Sequence, residues 1–335
     1  MAEFPPLVQA LLKGEAYPEK PQHVDLMQTQ MSFVFLIGDF AYKIKKPVNF
    51  GFLDFSTLQK RRFFCQQEVE LNRRLSPEIY LGVVEITQDD DGFSVGGSGE
   101  VVEYAVKMRQ LPLERSLDRL LAKDQATPEM LEKVAQKLVK FHRTSKSGAE
   151  ISKYGDIETI TQNTDENFVQ TEKYINVSLS RKTYDTIESY TDSFIEKEAP
   201  LFKQRVKEGK IKDCHGDLHS AHICFGDEVY IFDCIEFNDR FRYCDVASEI
   251  GFLAMDLDFH GHEDLSKHFV DSYVELSSDR ELMQLLDFYK CYRAYVRGKV
   301  ESFKLDDPHI SEAEKAKVLG TAKRYFELAD SYVEF

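Results

Sequence analysis

The sequence contains no uninterrupted apolar run of the roughly 18 residues that a membrane-spanning helix requires. Its amino-terminal segment has two early prolines and lacks the basic start and longer apolar stretch of a signal peptide. We therefore expect a cytoplasmic protein with no membrane partner. In that compartment the six cysteines are expected to be reduced thiols rather than a disulfide framework.

Positive charge is also scarce in this chain. Its 43 lysines and arginines are outnumbered by 58 aspartates and glutamates, which gives a formal net charge of −15 at pH 7. Nucleic-acid-binding surfaces owe their affinity to clustered Lys and Arg, so the composition argues against a nucleic-acid partner. The balance permits a cationic small substrate or a bound divalent metal, although acidity also serves solubility.

The 335 residues suit two lobes better than one compact core. β-branched and aromatic runs predict strands in the first third of the chain, at residues 32–37, 40–45, 81–87, 93–95 and 101–108. A helix is predicted at about 56–75, and another begins at Pro128 with Thr127 as its N-cap. Helical stretches follow, interrupted by a predicted β segment over 214–233. The fold class predicted is α+β, with a β-rich lobe over residues 1–110 and a mainly helical lobe over 111–335.

Two aspartates carry the strongest chemical signal. Asp217 lies in the segment His-Gly-Asp-Leu-His at 215–219, and Asp233 ends the strand-like run Ile-Phe-Asp. An acid on a loop and a second acid delivered by a strand suit phosphoryl transfer to an alcohol. One carboxylate aligns the hydroxyl and accepts its proton, and the other coordinates the divalent metal that neutralises the triphosphate.

These motifs resemble those of the aminoglycoside phosphotransferase and choline kinase group, which has the protein kinase-like fold. Residues 242–247 (Arg-Tyr-Cys-Asp-Val-Ala) resemble that group's Arg-Tyr-x-Asp-Leu-Ala segment. Residues 35–54 and 233–239 resemble, more narrowly, an uncharacterised bacterial branch that often carries a P-loop ATPase domain, whose phosphate-binding motif does not occur here. The resemblance implies a bilobal kinase using ATP and Mg²⁺, with Asp217 as the catalytic residue and Asp233 as a metal ligand.

The predicted strand over 40–45 supplies candidate nucleotide contacts. Its alternation places Ala41 and Lys43 on one face, where a small side chain leaves room for adenine and the ammonium reaches the α- and β-phosphates. Lys45 shares that face and stays an alternative, although the kinase pattern Val-Ala-x-Lys favours Lys43. A helix carboxylate is expected to hold this lysine in place. The family pattern Glu-x-x-x-x-x-x-Leu favours Glu68 over Glu70 for that role.

The remaining nucleotide contacts are less clearly marked. The segment 27–32 stands where kinases have a glycine-rich loop and contains no glycine, so Ser32 is a candidate phosphate contact. ATP is expected near residues 107–111, with Met108 and Gln110 as candidate contacts.

His222 departs from the family pattern. The family places an asparagine metal ligand five residues after the catalytic acid, and this chain has His222 there. Neutral imidazole binds divalent metals but favours softer ions than Mg²⁺, so Mn²⁺ is a possible replacement. A zinc site is an alternative, because nitrogen and sulfur donors fall within eleven residues. Those donors are Cys214, His215, His219, His222 and Cys224.

The favoured function is an ATP-dependent phosphotransferase acting on a hydroxyl of a small molecule, such as an amino sugar or a polyol. A nucleotide-binding pseudokinase is the alternative, because of His222 and the missing glycine-rich loop. A protein Ser/Thr kinase is less favoured, since no His-Arg-Asp or Ala-Pro-Glu segment occurs.

Asp245 is predicted to brace the catalytic loop and cap a helix. Contact with an anionic substrate is one interpretation of Arg293, Arg297 and Lys299, and an ion-paired helix face is the favoured one.

Overall fold

The structure, a computed structural model, describes residues 4–308 and 310–333. The chain divides into two compact units, Met1–Arg115 with Cys224–Asp239, and Ser116–Ile223 with Arg240–Phe335. The first division lies near the predicted boundary at residue 110. The segment Cys224–Asp239, expected in the second lobe, belongs instead to the first unit.

The first unit is built on a six-stranded antiparallel sheet in the order β1-β2-β3-β6-β4-β5. The strands are β1 (Asp25–Gln28), β2 (Ser32–Ile37), β3 (Phe40–Lys45), β4 (Tyr80–Asp89), β5 (Gly92–Val95) and β6 (Glu100–Arg109). Two helices accompany them, α1 (Pro6–Leu11) and α2 (Leu58–Asn72). Thr57 caps α2 by accepting a hydrogen bond from the backbone N–H of Lys60 at 3.2 Å.

Strand β3 separates an apolar core from a charged face. Tyr42 and Ile44 belong to an apolar cluster that also contains Phe35. Because side chains alternate along a strand, Lys43 and Lys45 lie on the opposite face. The predicted alternation is confirmed, and it brings both lysines to α2.

The second unit is helical. Its helices are α3 (Leu117–Leu121), α4 (Pro128–Thr144), α5 (Ala149–Ser152), α6 (Ile157–Thr171), α7 (Arg181–Lys197), α8 (Ala199–Lys207), α10 (Val246–Phe259), α11 (Glu263–Ser277), α12 (Leu282–Phe303) and α13 (Glu312–Ser331), and α9 (Asp239–Arg242) precedes α10. Two short strands, β7 (Ile211–Asp213) and β10 (Tyr243–Asp245), pair in antiparallel fashion. Over the described ranges, no helix combines the length and apolar character needed to span a bilayer.

The predicted β segment over 214–233 is only partly correct. Strands form at β8 (Ile223–Phe225) and β9 (Val229–Ile231), whereas residues 214–219 form an irregular loop followed by one helical turn. The loop cannot extend a sheet because its backbone donors are bound by side chains. The N–H groups of His215 and Ser220, for example, donate to carboxylates of α10.

Candidate active site

Lys43 lies between two carboxylates of the first unit. Its Nζ is 2.6 Å from Asp233 Oδ1 and 2.9 Å from Glu68 Oε1. The side chain of Glu68 is 0% exposed, whereas that of Asp233 is 42% exposed. The ammonium is therefore held between a buried anchor and a carboxylate that still reaches solvent.

The charges of this cluster stabilise one another. Burial by itself lowers the pKa of the Lys43 ammonium, but the carboxylates of Asp233 and Glu68 outweigh burial and raise this pKa well above its ordinary value. Burial raises the pKa of the Glu68 carboxyl, and the two lysines of β3 more than reverse that effect. Both groups are therefore ionised at neutral pH.

Lys45 has a different environment from Lys43. Its Nζ is 2.6 Å from Glu68 Oε2 and pairs with Glu236, and its side chain is 1% exposed against 15% for Lys43. Glu70 is exposed on the outer side of α2. Lys45 is therefore a buried partner of the same carboxylate, and the choice of Lys43 and Glu68 as nucleotide-site residues stays a prediction.

Asp233 is held by its backbone. Its N–H donates to the hydroxyl of Tyr80 at 3.1 Å, and the N–H of Cys234 donates to Asn72 Oδ1 at 2.9 Å. The backbone of Asp233 has φ +63°, a left-handed conformation that side chains other than glycine adopt at a cost. These contacts fix the direction of its carboxylate.

The other candidate nucleotide contacts also lie in the first unit. Ala41 is buried in β3 and is the register partner of Met108 in β6. Gln110 follows β6 with an exposed side chain, and its N–H donates to Asp39 O at 2.8 Å. Ser32 begins β2 with a buried side chain, opposite Lys45 in the pairing.

Asp217 occupies the irregular loop of the second unit. Its Oδ2 lies 3.6 Å from both His219 Nε2 and His222 Nδ1, and its side chain is 34% exposed. Burial raises the pKa of the Asp217 carboxyl, but His219, His222 and Arg297 together hold this pKa well below its usual range. The carboxylate is ionised at neutral pH and can accept a hydrogen bond from a hydroxyl group.

No family model matches the chain. The chain is 35% identical over 279 residues to the uncharacterized protein Rv2004c of Mycobacterium tuberculosis and, equally, to the uncharacterized protein Mb2027c of Mycobacterium bovis. Each match covers 83% of this chain and 54% of the relative. The chain therefore spans about half the length of the curated relatives it matches.

Solved structures share the architecture. A choline/ethanolamine kinase family protein from Mesorhizobium loti matches with a TM-score of 0.54 and 14% identity, over 97% of this chain and 98% of that one. A Ralstonia eutropha protein assigned to the aminoglycoside phosphotransferases matches with a TM-score of 0.51 and 10% identity. That match covers 93% of this chain and 92% of the other. The chain has their kinase-like fold. The predicted α+β, bilobal fold is confirmed, and the resemblance to this group is confirmed at the level of fold.

In this kinase-like fold, the loop of Asp217 is fixed by a buried carboxylate that the sequence analysis missed. Glu249 Oε2 accepts hydrogen bonds from the N–H groups of His215 at 2.7 Å and Gly216 at 2.8 Å. Its Oε1 lies 2.9 Å from His142 Nε2. The available signal was an acid one turn into α10, a helix whose other positions are largely buried and apolar.

Two roles were predicted for Asp245, capping a helix and bracing the catalytic loop, and its direct contacts show only the first. It caps α10, since its Oδ1 accepts the N–H of Ala247 at 2.8 Å, and this prediction is confirmed. Its carboxylate also pairs with the fully buried Arg205 at 2.6 Å. The backbone N–H groups of His215 and Gly216 are bound instead by Glu249, which lies one helical turn after Asp245.

The predicted ion-paired face of α12 is wrong for Arg293 and Lys299. Arg293 donates to Gly216 O at 3.2 Å and Ser248 Oγ at 3.1 Å, so it braces the loop through neutral acceptors. Lys299 donates to amide oxygens, one of them that of Asn167 at 2.6 Å, and burial lowers the pKa of Lys299 to about 8. The side chains of Arg293 and Lys299 face neighbouring elements that offer hydroxyl, carbonyl and amide oxygens. These oxygens take the place of the expected carboxylates.

The predicted alternative of a five-donor zinc site is not assembled as one group. Cys214 is buried with His142 and Glu249, and its thiol has a pKa raised by burial. The ring of His215 lies 6.0 Å from that of His222. What the fold does bring together is Asp217, His219 and His222.

Replacing Glu249 by leucine is expected to lower the free energy of unfolding by about 2–6 kcal/mol, because two buried N–H groups each lose an acceptor worth about 1–3 kcal/mol. Urea unfolding measures the change. Glu249→Gln keeps one acceptor oxygen, so its free energy of unfolding should fall by less than that of Glu249→Leu.

Glu150→Leu is the matched control, since that side chain is 91% exposed and its loss should change stability little. Burial raises the pKa of the Glu249 carboxyl, but His142 and the loop amides lower it overall. Its stabilisation is therefore complete above the ordinary pKa of glutamate and is lost as pH falls through the lowered value. An equal loss of stability in Glu249→Leu and Glu150→Leu would contradict the role of Glu249 in holding the loop.

Proposed function

We propose that the protein is a phosphotransferase that moves the γ-phosphate of ATP to a hydroxyl of a small molecule, such as an amino sugar or a polyol. The observation that carries this proposal is the contact of Lys43 with both Glu68 and the solvent-reaching Asp233, within a kinase-like fold. A lysine held by a helix carboxylate next to a second, exposed carboxylate is the arrangement that grips a metal-bound triphosphate.

The nucleotide would be bound as follows. Lys43 contacts phosphate oxygens of ATP while Glu68 keeps its ammonium directed forward. Ala41, Met108, Gln110 and Ser32 are proposed to contact the nucleotide from neighbouring strands.

Asp233 suits a divalent ion, because its carboxylate is a hard oxygen donor with 42% of the side chain exposed. A bound Mg²⁺ or Mn²⁺ would supply neutralisation of charge on the β- and γ-phosphates. His222 stands at the family's second ligand position, and an imidazole there favours Mn²⁺ over Mg²⁺. Its contribution beside Asp233 stays a prediction.

Asp217 is proposed to act on the acceptor. The acceptor oxygen forms a bond to the γ-phosphorus while the bond between that phosphorus and the bridging β–γ oxygen breaks, and ADP leaves. The proton of the hydroxyl passes to the Asp217 carboxylate. Because the pKa of this carboxyl is low, the carboxylate is ionised and available as the proton acceptor, and its hydrogen bond also aligns the hydroxyl for attack. That Asp217 and Asp233 serve the same ATP molecule stays a prediction.

The test is a screen for ATP-dependent transfer to a library of small alcohols and amino sugars, read by mass spectrometry as the gain of one phosphoryl group. Transfer should require Mg²⁺ or Mn²⁺ and stop on chelation. A thermal shift with ATP and metal but no transfer to any acceptor would favour the pseudokinase. Phosphate appearing on added proteins instead would favour the protein kinase. Neither binding nor transfer would overturn the proposal.

A further inference from the structure

Three donor side chains converge on the loop of the second unit. Asp217, His219 and His222 each offer one atom, and these atoms lie within 4.8 Å of one another. The imidazole rings of His219 and His222 are 4.0 Å apart between centroids, at 36°. The loop therefore presents one carboxylate and two imidazoles at a single place.

The separations suit a small tetrahedral ion. Bonds of about 2.1 Å from a tetrahedral zinc to nitrogen and oxygen place neighbouring donors about 3.4 Å apart. Asp217 Oδ2 lies 3.6 Å from His219 Nε2 and 3.6 Å from His222 Nδ1. Small side-chain movements would therefore complete three bonds and leave a fourth position for water.

We propose that Asp217, His219 and His222 form a binding site for a divalent transition-metal ion of the Zn²⁺ or Co²⁺ type, and that its occupancy inhibits phosphoryl transfer. Two nitrogen donors favour such ions over Mg²⁺, which prefers oxygen. An ion on Asp217 takes the carboxylate oxygen that would otherwise accept the hydroxyl proton. Metal binding stands independently of the proposed function, whereas the inhibition rests on it.

Metal binding at His222 would change which nitrogen of its ring carries the proton. His222 Nδ1 also lies 2.9 Å from the carbonyl oxygen of Asp217, so the ion and the carbonyl compete for this nitrogen. Binding places the imidazole proton on Nε2. The side chain of Asp217 is 34% exposed, which gives an ion a route to it.

Cobalt titration of the full, metal-stripped chain tests the site directly. The expected result is a visible absorption band of four-coordinate intensity that saturates at one equivalent and is abolished by Zn²⁺ but not by Mg²⁺. No thiolate-to-cobalt band should appear, because no cysteine belongs to the site. His222→Asn should weaken cobalt binding by at least about tenfold, because one of three ligands is lost.

His268→Asn is the matched control, since His268 pairs with Glu132 elsewhere on the surface and should bind cobalt as the parent chain does. Zinc-edge X-ray absorption of the unaltered chain should show two imidazole ligands, and this measurement stands even where a variant fails to fold. A six-coordinate spectrum, equal affinities in the two variants, or no imidazole at zinc would overturn the site. Zinc binding without inhibition of an active enzyme would overturn only the regulatory part.

Discussion

Replacing Asp217 by asparagine is expected to reduce the rate of phosphoryl transfer by about 10²- to 10⁴-fold, the contribution of a positioned proton acceptor. Asparagine keeps the shape of the side chain but cannot take the proton of the hydroxyl group. The nucleotide contacts proposed for Lys43 and Asp233 are untouched, so the KM for ATP should change little. Initial rates at saturating acceptor, with ATP varied, separate the two parameters.

The control for this variant is Asp91→Asn, on the exposed turn between β4 and β5. It should retain full activity. Thermal unfolding of the Asp217 variant checks that the loop survives the loss of a charge that faces His219 and His222. Undiminished transfer would remove Asp217 from the catalytic role.

Lys43→Met and Lys45→Met are expected to fail in different ways. Lys43→Met should lower kcat/KM for ATP by about 10²- to 10³-fold, as expected for one lost electrostatic contact to the reacting phosphates. It should remain folded, because Glu68 keeps Lys45 at 2.6 Å. Lys45→Met removes the ammonium that pairs with the buried Glu236 and should cost about 3–5 kcal/mol of unfolding free energy.

Urea unfolding and steady-state kinetics on both variants distinguish these outcomes. Lys60→Met is the matched control, because that side chain is 46% exposed and its pair with Asp54 lies at the surface. Full activity in Lys43→Met together with a stable, inactive Lys45→Met would exchange the two roles. It would make Lys45 the phosphate-binding residue.

Local patterns in the sequence were sufficient for several elements. The strands 32–37 and 40–45 were predicted with the bounds that the structure gives β2 and β3. The turn residues Gly38 and Asp39 and the β-branched and aromatic runs are short-range signals, so no distant contact was needed. Pro128 likewise begins α4 as predicted, with Thr127 at the N-cap position, although the Thr127 side chain makes no capping hydrogen bond.

The site could be predicted only to the level of residue types and spacing. Alternation placed Lys43 and Lys45 on one face, but the choice between them depends on distances to Asp233, 190 residues away in the chain. In the same way, helix α2 offers two glutamates, and the structure shows that Glu68 is buried beside Lys43 while Glu70 is exposed.

By itself, the sequence determined strands β2 and β3, the start of α4, the two aspartate motifs and the kinase-like fold, because each rests on neighbouring residues or on a recognisable motif. The tertiary structure alone decided that Cys224–Asp239 joins the first unit and that Glu249 binds the amides of the Asp217 loop. It also decided that His219 and His222 meet at Asp217. Such contacts depend on where a buried charge finds its hydrogen-bond donors, and no periodicity along the chain encodes that.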